Sequence, residues 1–249
     1  MAIDFSQVKN ITIPEGSVKQ ITGPNGIILW KQEDPVILYE DYYLTSYSST
    51  KNSNYIDLGI KWNSKYKVEG AYMVPVPSSD QDYGRMFGTG WNTANEIQLD
   101  YQGSGYNLRA LVGNQFSRNA TSTSTINTKY QFAYGDRGTS KSSLWVKTPS
   151  QDWTRQGAEW DTGDKTSSYN IGVFTCTQGD RDGKYGINYL QINGPESLWQ
   201  PGDAIMYLVP AKKGDTYGLY DKNHSQFYPG IVANGGQFKI TDVNGNQIA

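Results

Sequence analysis

The sequence has a single cysteine, Cys176, and a single histidine, His224. A lone thiol excludes an internal disulfide framework, and with one imidazole beside it the usual zinc ligand sets are out of reach. Long hydrophobic runs are also missing. No stretch approaches the roughly 18–20 apolar residues of a membrane-spanning helix, so no membrane insertion is expected. The opening MAIDFSQVKNITIPE lacks the unbroken apolar core of a secretory signal. Charge is scarce, at 18% of residues, and nearly balanced, with 22 Lys and Arg against 24 Asp and Glu. No basic run offsets that balance, so a nucleic-acid partner is not expected. No window sustains a 3.6-residue apolar period, which argues against helices and coiled coils.

Aromatic residues and glycine are what the chain has instead: 19 Tyr, 7 Trp, 7 Phe and 27 Gly in 249 residues. These favour strands and turns. In NEIQLDYQ, Ile97, Leu99 and Tyr101 alternate with Glu96, Gln98, Asp100 and Gln102; in KYQFAYGD, Tyr130, Phe132 and Tyr134 alternate with Lys129, Gln131 and Ala133. A period of two puts one set of side chains on a core and the other in water. Weaker runs of the same kind are YKVEGAYMV (66–74), YNLRALV (106–112), SLWVK (143–147), YNIGVFT (169–175), INYLQI (187–192), AIMYLV (204–209) and QFKI (237–240). Polar clusters such as NQFSRNATSTSTINT and CTQGDRDGKYG separate them. Many short antiparallel strands with polar turns predict an all-β, two-sheet sandwich or jelly roll, and the absence of a 20–50-residue repeat argues against a propeller or solenoid.

Residues 1–31 stand apart. Val18 and Ile21 precede Pro24-Asn25-Gly26, and Ile27, Ile28, Leu29 and Trp30 follow. Asn-Gly tolerates the positive φ of a tight turn, so one β-hairpin is predicted here. Thirty-one residues with one hairpin bury too little apolar surface to fold alone. The segment is therefore expected to lean on its own large domain, a sister copy or a partner protein. Ile11, Ile13, Val18, Ile21, Ile28 and Trp30 are the apolar residues available for docking. The polar connector KQEDP spans 31–35; the domain reading is an N-terminal β anchor at 1–31, a linker at 32–35 and one large domain at 36–249.

Two stretches of the large domain carry a family resemblance. NSNYIDLGIKWNSKYKVEGAYMV (52–74) resembles the opening strands of concanavalin A-like, laminin-G-like jelly rolls found in many phage and bacterial surface proteins. AIMYLVPAKKGDTYGLYDKNHSQFYP (204–229) is similar to their closing element, and IDFSQVKNITIPEGSVKQITGPNGIILWK to the leader of virion proteins of phages and prophages of gut bacteria. Between 80 and 200 the likeness is one of strand rhythm. The resemblance implies a phage virion structural protein with a lectin-type jelly roll: a tail or baseplate appendage, a capsid decoration or a head fibre. It implies other virion proteins as partners, a homo-oligomer (a trimer if it is a fibre), assembly in the host cytoplasm and residence on the virion, with host-surface polysaccharide as a partner that the outer domain could bind. The fold alone does not imply sugar binding, since sites are grafted onto folds.

Candidate chemistry follows from local patterns. Glu159-Trp160-Asp161-Thr162-Gly163-Asp164 is similar to the Glu-x-Asp-x-x-Glu strand of laminarinase-type glycosidases, with Asp164 in place of the last Glu. Retaining hydrolysis needs a nucleophile and an acid about 5–5.5 Å apart, which same-face Glu159 and Asp161 would supply. Thr162–Lys165 reads as a turn, however, so a solvated polar turn is the expectation and an enzyme is not. Asp180-Arg181-Asp182-Gly183 starts like a calcium loop but lacks the third oxygen ligand and the closing Glu, so no cofactor is expected. Calcium held by backbone carbonyls, as in some members of the resembled fold, is the one ion the resemblance adds. His224 lies in a polar turn with no Gly-x-Ser-x-Gly elbow in the chain, and Cys176 in GVFTCT reads as a small core residue. Sugar recognition wants an aromatic platform with amides or carboxylates beside it. Trp91-Asn92, Trp153 with Asp152 and Arg155, and Trp160-Asp161 supply that pairing and are expected in loops. Trp30, Trp62, Trp145 and Trp199 are read as structural.

Overall fold

The computed structural model describes residues 11–13, 16–47, 54–63, 65–74, 83–89, 97–102, 107–112, 127–136, 141–161, 166–174, 185–193, 204–232 and 235–249. It divides into two compact units, Met1–Val36 and Ile37–Ala249. No α-helix occurs among the described residues.

In the first unit β1 (Ile11–Ile13) pairs with β2 (Gly16–Val18), and β3 (Gln20–Thr22) with β4 (Ile28–Lys31), both antiparallel. Among the described residues of 1–31 there are thus two antiparallel strand pairs rather than the one hairpin predicted. The first has strands of three residues, too short to show a period. The second turns where Pro24-Asn25-Gly26 predicted it. These three residues form a 3₁₀ turn, Gly26 takes φ +77°, and the Gly23 N–H donates to Ile27 O at 2.6 Å. Ile27, Ile28 and Leu29 are 62%, 55% and 49% exposed, a strip of three bulky apolar side chains in water.

In chain order the remaining strands are β5 (Val36–Leu38), β6 (Tyr43–Tyr47), β7 (Asn54–Asn63), β8 (Lys67–Met73), β9 (Tyr83–Gly88), β10 (Ile97–Gln102) and β11 (Asn107–Val112). Then come β12 (Tyr130–Asp136), β13 (Lys141–Thr148), β14 (Gln151–Asp161), β15 (Thr166–Val173), β16 (Gly186–Asn193) and β17 (Ala204–Lys213). The chain closes with β18 (Thr216–Asp221), β19 (Gln226–Pro229), β20 (Ile231–Val232) and β21 (Gln237–Thr241). The larger sheet runs β14-β13-β12-β8-β16-β17-β18-β19, with β6 joined to β16 and β21. The smaller runs β11-β10-β9-β15-β7-β20. The fold is all-β, an antiparallel two-sheet sandwich, as the period-two runs predicted.

The core lies between the sheets. Val68 and Tyr72 of β8, Phe132 and Tyr134 of β12, and Leu190 and Ile192 of β16 face Ile56, Leu58 and Trp62 of β7 and Ile171 and Val173 of β15. Trp62 ties the two layers, its ring 5.9 Å from that of Tyr134 in the larger sheet and 5.8 Å from that of Phe87 in the smaller. The Trp62 and Phe87 rings meet edge to face at 82°, which adds attraction to the area they bury. Gly70 makes room for Phe132: a Cβ there would stand 2.8 Å from both the Phe132 ring and Tyr189 O.

One segment departs from the sequence reading. Residues 151–161, expected as loop, form the edge strand β14. An edge strand pairs along one side only and its polar residues occupy both faces, so it lacks alternation. Gly157, at φ +69°, sits where the β13–β14 register slips between Ser142 and Leu144.

Candidate functional site

The residues first considered for sugar contact are not brought together. Trp91 and Asn92 lie outside the described residues, as do Cys176, Asp180–Gly183 and Trp199. Asp152-Trp153 and Trp160-Asp161 both lie on β14 rather than in loops, eight residues apart. At the rise of a strand that is about 25 Å, so the two pairs cannot share one small ligand. Asp152 is committed to the β13–β14 hairpin, where its carboxylate takes the Lys147 ammonium at 3.0 Å. The Trp153 backbone N–H, then Lys147, hold its carboxyl below the usual carboxylate range. Trp153 is half-buried. Glu159 and Asp161 are placed in β14 through their backbones alone. In the first unit Val18 and Ile21 are half-buried, Ile28 is exposed, Trp30 is buried, and Ile11 and Ile13 are placed by backbone.

A different cluster emerges on the face of the larger sheet turned away from the core. Directly paired residues of neighbouring strands share a face, so register traces rows across the sheet. One row runs Arg155, Trp145, Ala133, Glu69, Gln191 and Tyr207 over β14, β13, β12, β8, β16 and β17. The next runs Lys147, Gln131, Ala71 and Tyr189. Each row has one alanine among larger side chains, Ala133 between Trp145 and Glu69 and Ala71 between Gln131 and Tyr189. Ala71 and Ala133 are buried at the floor, while Glu69, Gln131, Trp145, Tyr189 and Tyr207 stand around them partly exposed. From Trp145 to Tyr207 the site crosses four strand spacings, about 19 Å.

Tyr189 reaches this face through a β-bulge. Ile187 pairs with Tyr72 on the core side, yet Tyr189, two residues on, pairs with Ala71 on the outer side. In a regular strand residues two apart share a face, so the extra residue, Asn188, reverses the alternation. Asn188 is 5% exposed and holds the bulge with three bonds: Nδ2 donates to Glu40 O and Tyr42 O, each at 2.9 Å, and Oδ1 accepts from Lys129 Nζ at 2.8 Å. Burial of that lysine lowers its pKa, partly countered by Asp41.

On the face itself Gln131 Nε2 donates to Tyr189 OH at 3.2 Å, and Tyr189 OH donates to Glu69 Oε1 at 2.9 Å. Burial, then the Glu69 charge, push the Tyr189 phenol well above its ordinary value, so it stays a neutral donor. The Tyr189 and Tyr207 rings lie 6.1 Å apart with 31° between their planes, and Lys222 Nζ, 5.7 Å from the Tyr207 ring, closes that end. At the other end Trp145 Nε1 donates to Ser143 Oγ at 2.7 Å. Aromatic planes at both ends of a carboxylate–phenol–amide chain can cover the apolar face of a sugar ring while the polar groups take its hydroxyls.

The sequence analysis singled out none of Glu69, Gln131, Tyr189 and Tyr207 as site residues, and it read Trp145 as structural. A signal for the bulge was present. In INYLQI, strict alternation would group Ile187 with Tyr189 and Gln191 and set it against Leu190 and Ile192, a pattern no single buried face satisfies. Elsewhere Asp221, fully buried, locks its turn. Oδ1 accepts the Tyr207 and Asn223 N–H groups at 3.0 Å each, and Oδ2 lies 2.6 Å from His224 Nδ1. Among the described residues no nucleophile joins this pair and no three His, Cys, Asp or Glu gather as metal ligands.

The site therefore defines an antiparallel β-sandwich with an aromatic-flanked polar face. No protein-family model matches the chain, and no curated protein matches it in sequence. Among solved structures it is similar to full-length tailspike protein 2 from Escherichia coli O157:H7 bacteriophage CAB120, at 12% identity and TM-score 0.44, over 70% of this chain and 30% of that one. It is also similar to scytalido-glutamic peptidase, at 11% identity and TM-score 0.35 over 74% of this chain and 100% of that one. Lectin I-B4 from Griffonia simplicifolia matches at 9% identity and TM-score 0.32, over 74% of this chain and 90% of the lectin. The chain thus spans less than a third of the tailspike's length. Likeness at this level carries no functional argument, which rests on the residues of the face.

Proposed function

We propose that this chain is a structural protein of a phage virion, in which the N-terminal unit docks on the particle and the sandwich binds host-surface polysaccharide. The observation that carries the binding half is the pair of rows on the larger sheet: Gln131, Tyr189 and Glu69 are linked by hydrogen bonds, with Trp145 and Tyr207 at the two ends, all partly exposed. Core residues of a sandwich are apolar, and a purely solvated face needs no buried alanine floor flanked by aromatic walls. The docking half is supported by the exposed strip Ile27–Leu29 on a unit of 36 residues, a size at which a hydrophobic core alone rarely suffices. Display of many copies on one particle, as homo-oligomers or singly, raises the avidity of weak sugar contacts.

On this reading the protein binds and does not catalyse. The glycosidase alternative rests on the Glu159 and Asp161 pattern in the sequence alone. A glycan array probed with the full chain tests the binding half: retention of host polysaccharides that Tyr207→Ala abolishes supports it, and silence across the array refutes it. Removing residues 1–31 tests docking. Loss of incorporation into particles is expected, and normal incorporation would refute the anchor.

A further inference from the structure

The polar groups left over on the outer face carry a preference. Tyr189 OH is fully used, accepting from Gln131 and donating to Glu69 Oε1. Among the described residues nothing takes Glu69 Oε2, Gln131 Oε1 or the second Gln131 amide hydrogen. Gln131 pairs with Ala71, and Glu69 with Ala133, so these groups rise from adjacent strands over a floor of methyl groups. Around Gln131 and Glu69 the inventory is two acceptors, one of them a carboxylate oxygen, and one donor; the ammonium groups at the two ends of the face are already engaged, Lys147 with Asp152 at 3.0 Å and Lys222 with Glu40 at 2.8 Å. A ligand that meets it must bring more donors than acceptors to that spot. Sugar hydroxyls donate; carboxylates, sulfates and phosphates only accept and are charged like Glu69. Lys67, two residues before Glu69 on the same face, is 3% exposed, so its ammonium is not presented to a ligand.

From this we infer that the face selects uncharged, hydroxyl-rich saccharide over acidic saccharide, with Glu69 as the residue that sets the preference. The inference rests on the carbohydrate-binding reading and narrows it to a ligand class. A bound hydroxyl donating to Glu69 Oε2 forms a charge-assisted bond in a half-buried setting. A carboxylated sugar in the same place leaves two like charges together.

The test uses the full chain and matched polymers: polygalacturonate, alginate and hyaluronan, each beside its carboxyl-reduced form, with neutral glucan, mannan and galactan added. Titration calorimetry is the readout, and circular dichroism checks that Glu69→Gln folds. Expected is binding to at least one neutral or reduced polymer, with its carboxylated parent weaker by about tenfold or more. Glu69→Gln should shrink that gap to about threefold or less, because the amide keeps the size of the group and loses its charge. Equal or tighter binding of a carboxylated parent by the wild-type chain would overturn the inference while leaving carbohydrate binding intact. An unchanged gap in Glu69→Gln would also overturn it. No binding to any polymer would overturn the carbohydrate reading itself.

Discussion

Along β8 successive residues part company. Val68, Gly70 and Tyr72 turn to the core, whereas Glu69 and Ala71 turn to the opposite face. The same split recurs on β12, where Phe132 and Tyr134 oppose Gln131 and Ala133, and on β16, where Leu190 and Ile192 oppose Tyr189 and Gln191. On the core side the large residues interlock with a second sheet. On the outer side Glu69, Gln131 and Tyr189 rise around Ala71 and Ala133, and their polar atoms bond to one another. The difference separates stability from recognition within single strands, so substitutions one residue apart should have different consequences.

The largest effect is expected at Trp62, which touches both layers of the core. Trp62→Ala should cost about 3–5 kcal/mol in urea unfolding. Next is Asn188→Leu, which removes three bonds from a buried bulge and should cost about 2–4 kcal/mol. It should also remove polysaccharide binding under conditions where the protein is still folded, because Tyr189 loses its place. If Asn188→Leu destabilises yet binds normally, the bulge does not serve the outer face. Gly70→Ala drives a methyl against Phe132 and should cost about 1–3 kcal/mol. On the outer face of β17, between the buried Met206 and Leu208, Tyr207→Ala should change stability by about 1 kcal/mol or less while weakening binding about tenfold or more. The smallest effect is electrostatic. Tyr189 has a raised folded pKa, so its contribution is complete below the unfolded value near 10 and is lost as pH rises from there through the folded value. Unfolding at pH 9 and pH 11 should show a fall that Tyr189→Phe makes shallower.

The fold was legible where one face of a strand is buried. Tyr130, Phe132 and Tyr134 are core residues because alternation and burial coincide there, and Pro24-Asn25-Gly26 turns because its chemistry allows little else. β14 was not legible, since an edge strand with polar residues on both faces has no period to read. The site was not legible either. Its residues belong to five strands spread over Glu69 to Tyr207, and only pairing register brings them into rows. Tyr189 was the hardest, because its orientation depends on a bulge held by Lys129, Glu40 and Tyr42, none of them near it in sequence. Trp153 and Trp160 illustrate the converse: an aromatic beside a carboxylate is a local pattern, and in β14 the two pairs stand far apart.

The measurement that bears most directly on the outer face is a heteronuclear NMR titration of the full chain with a bound oligosaccharide. Shift changes centred on Glu69, Gln131, Tyr189, Tyr207 and the Trp145 indole, with Trp62 and the β7 core unmoved, are the result expected. Changes confined to other surfaces, with those five residues silent, would contradict it.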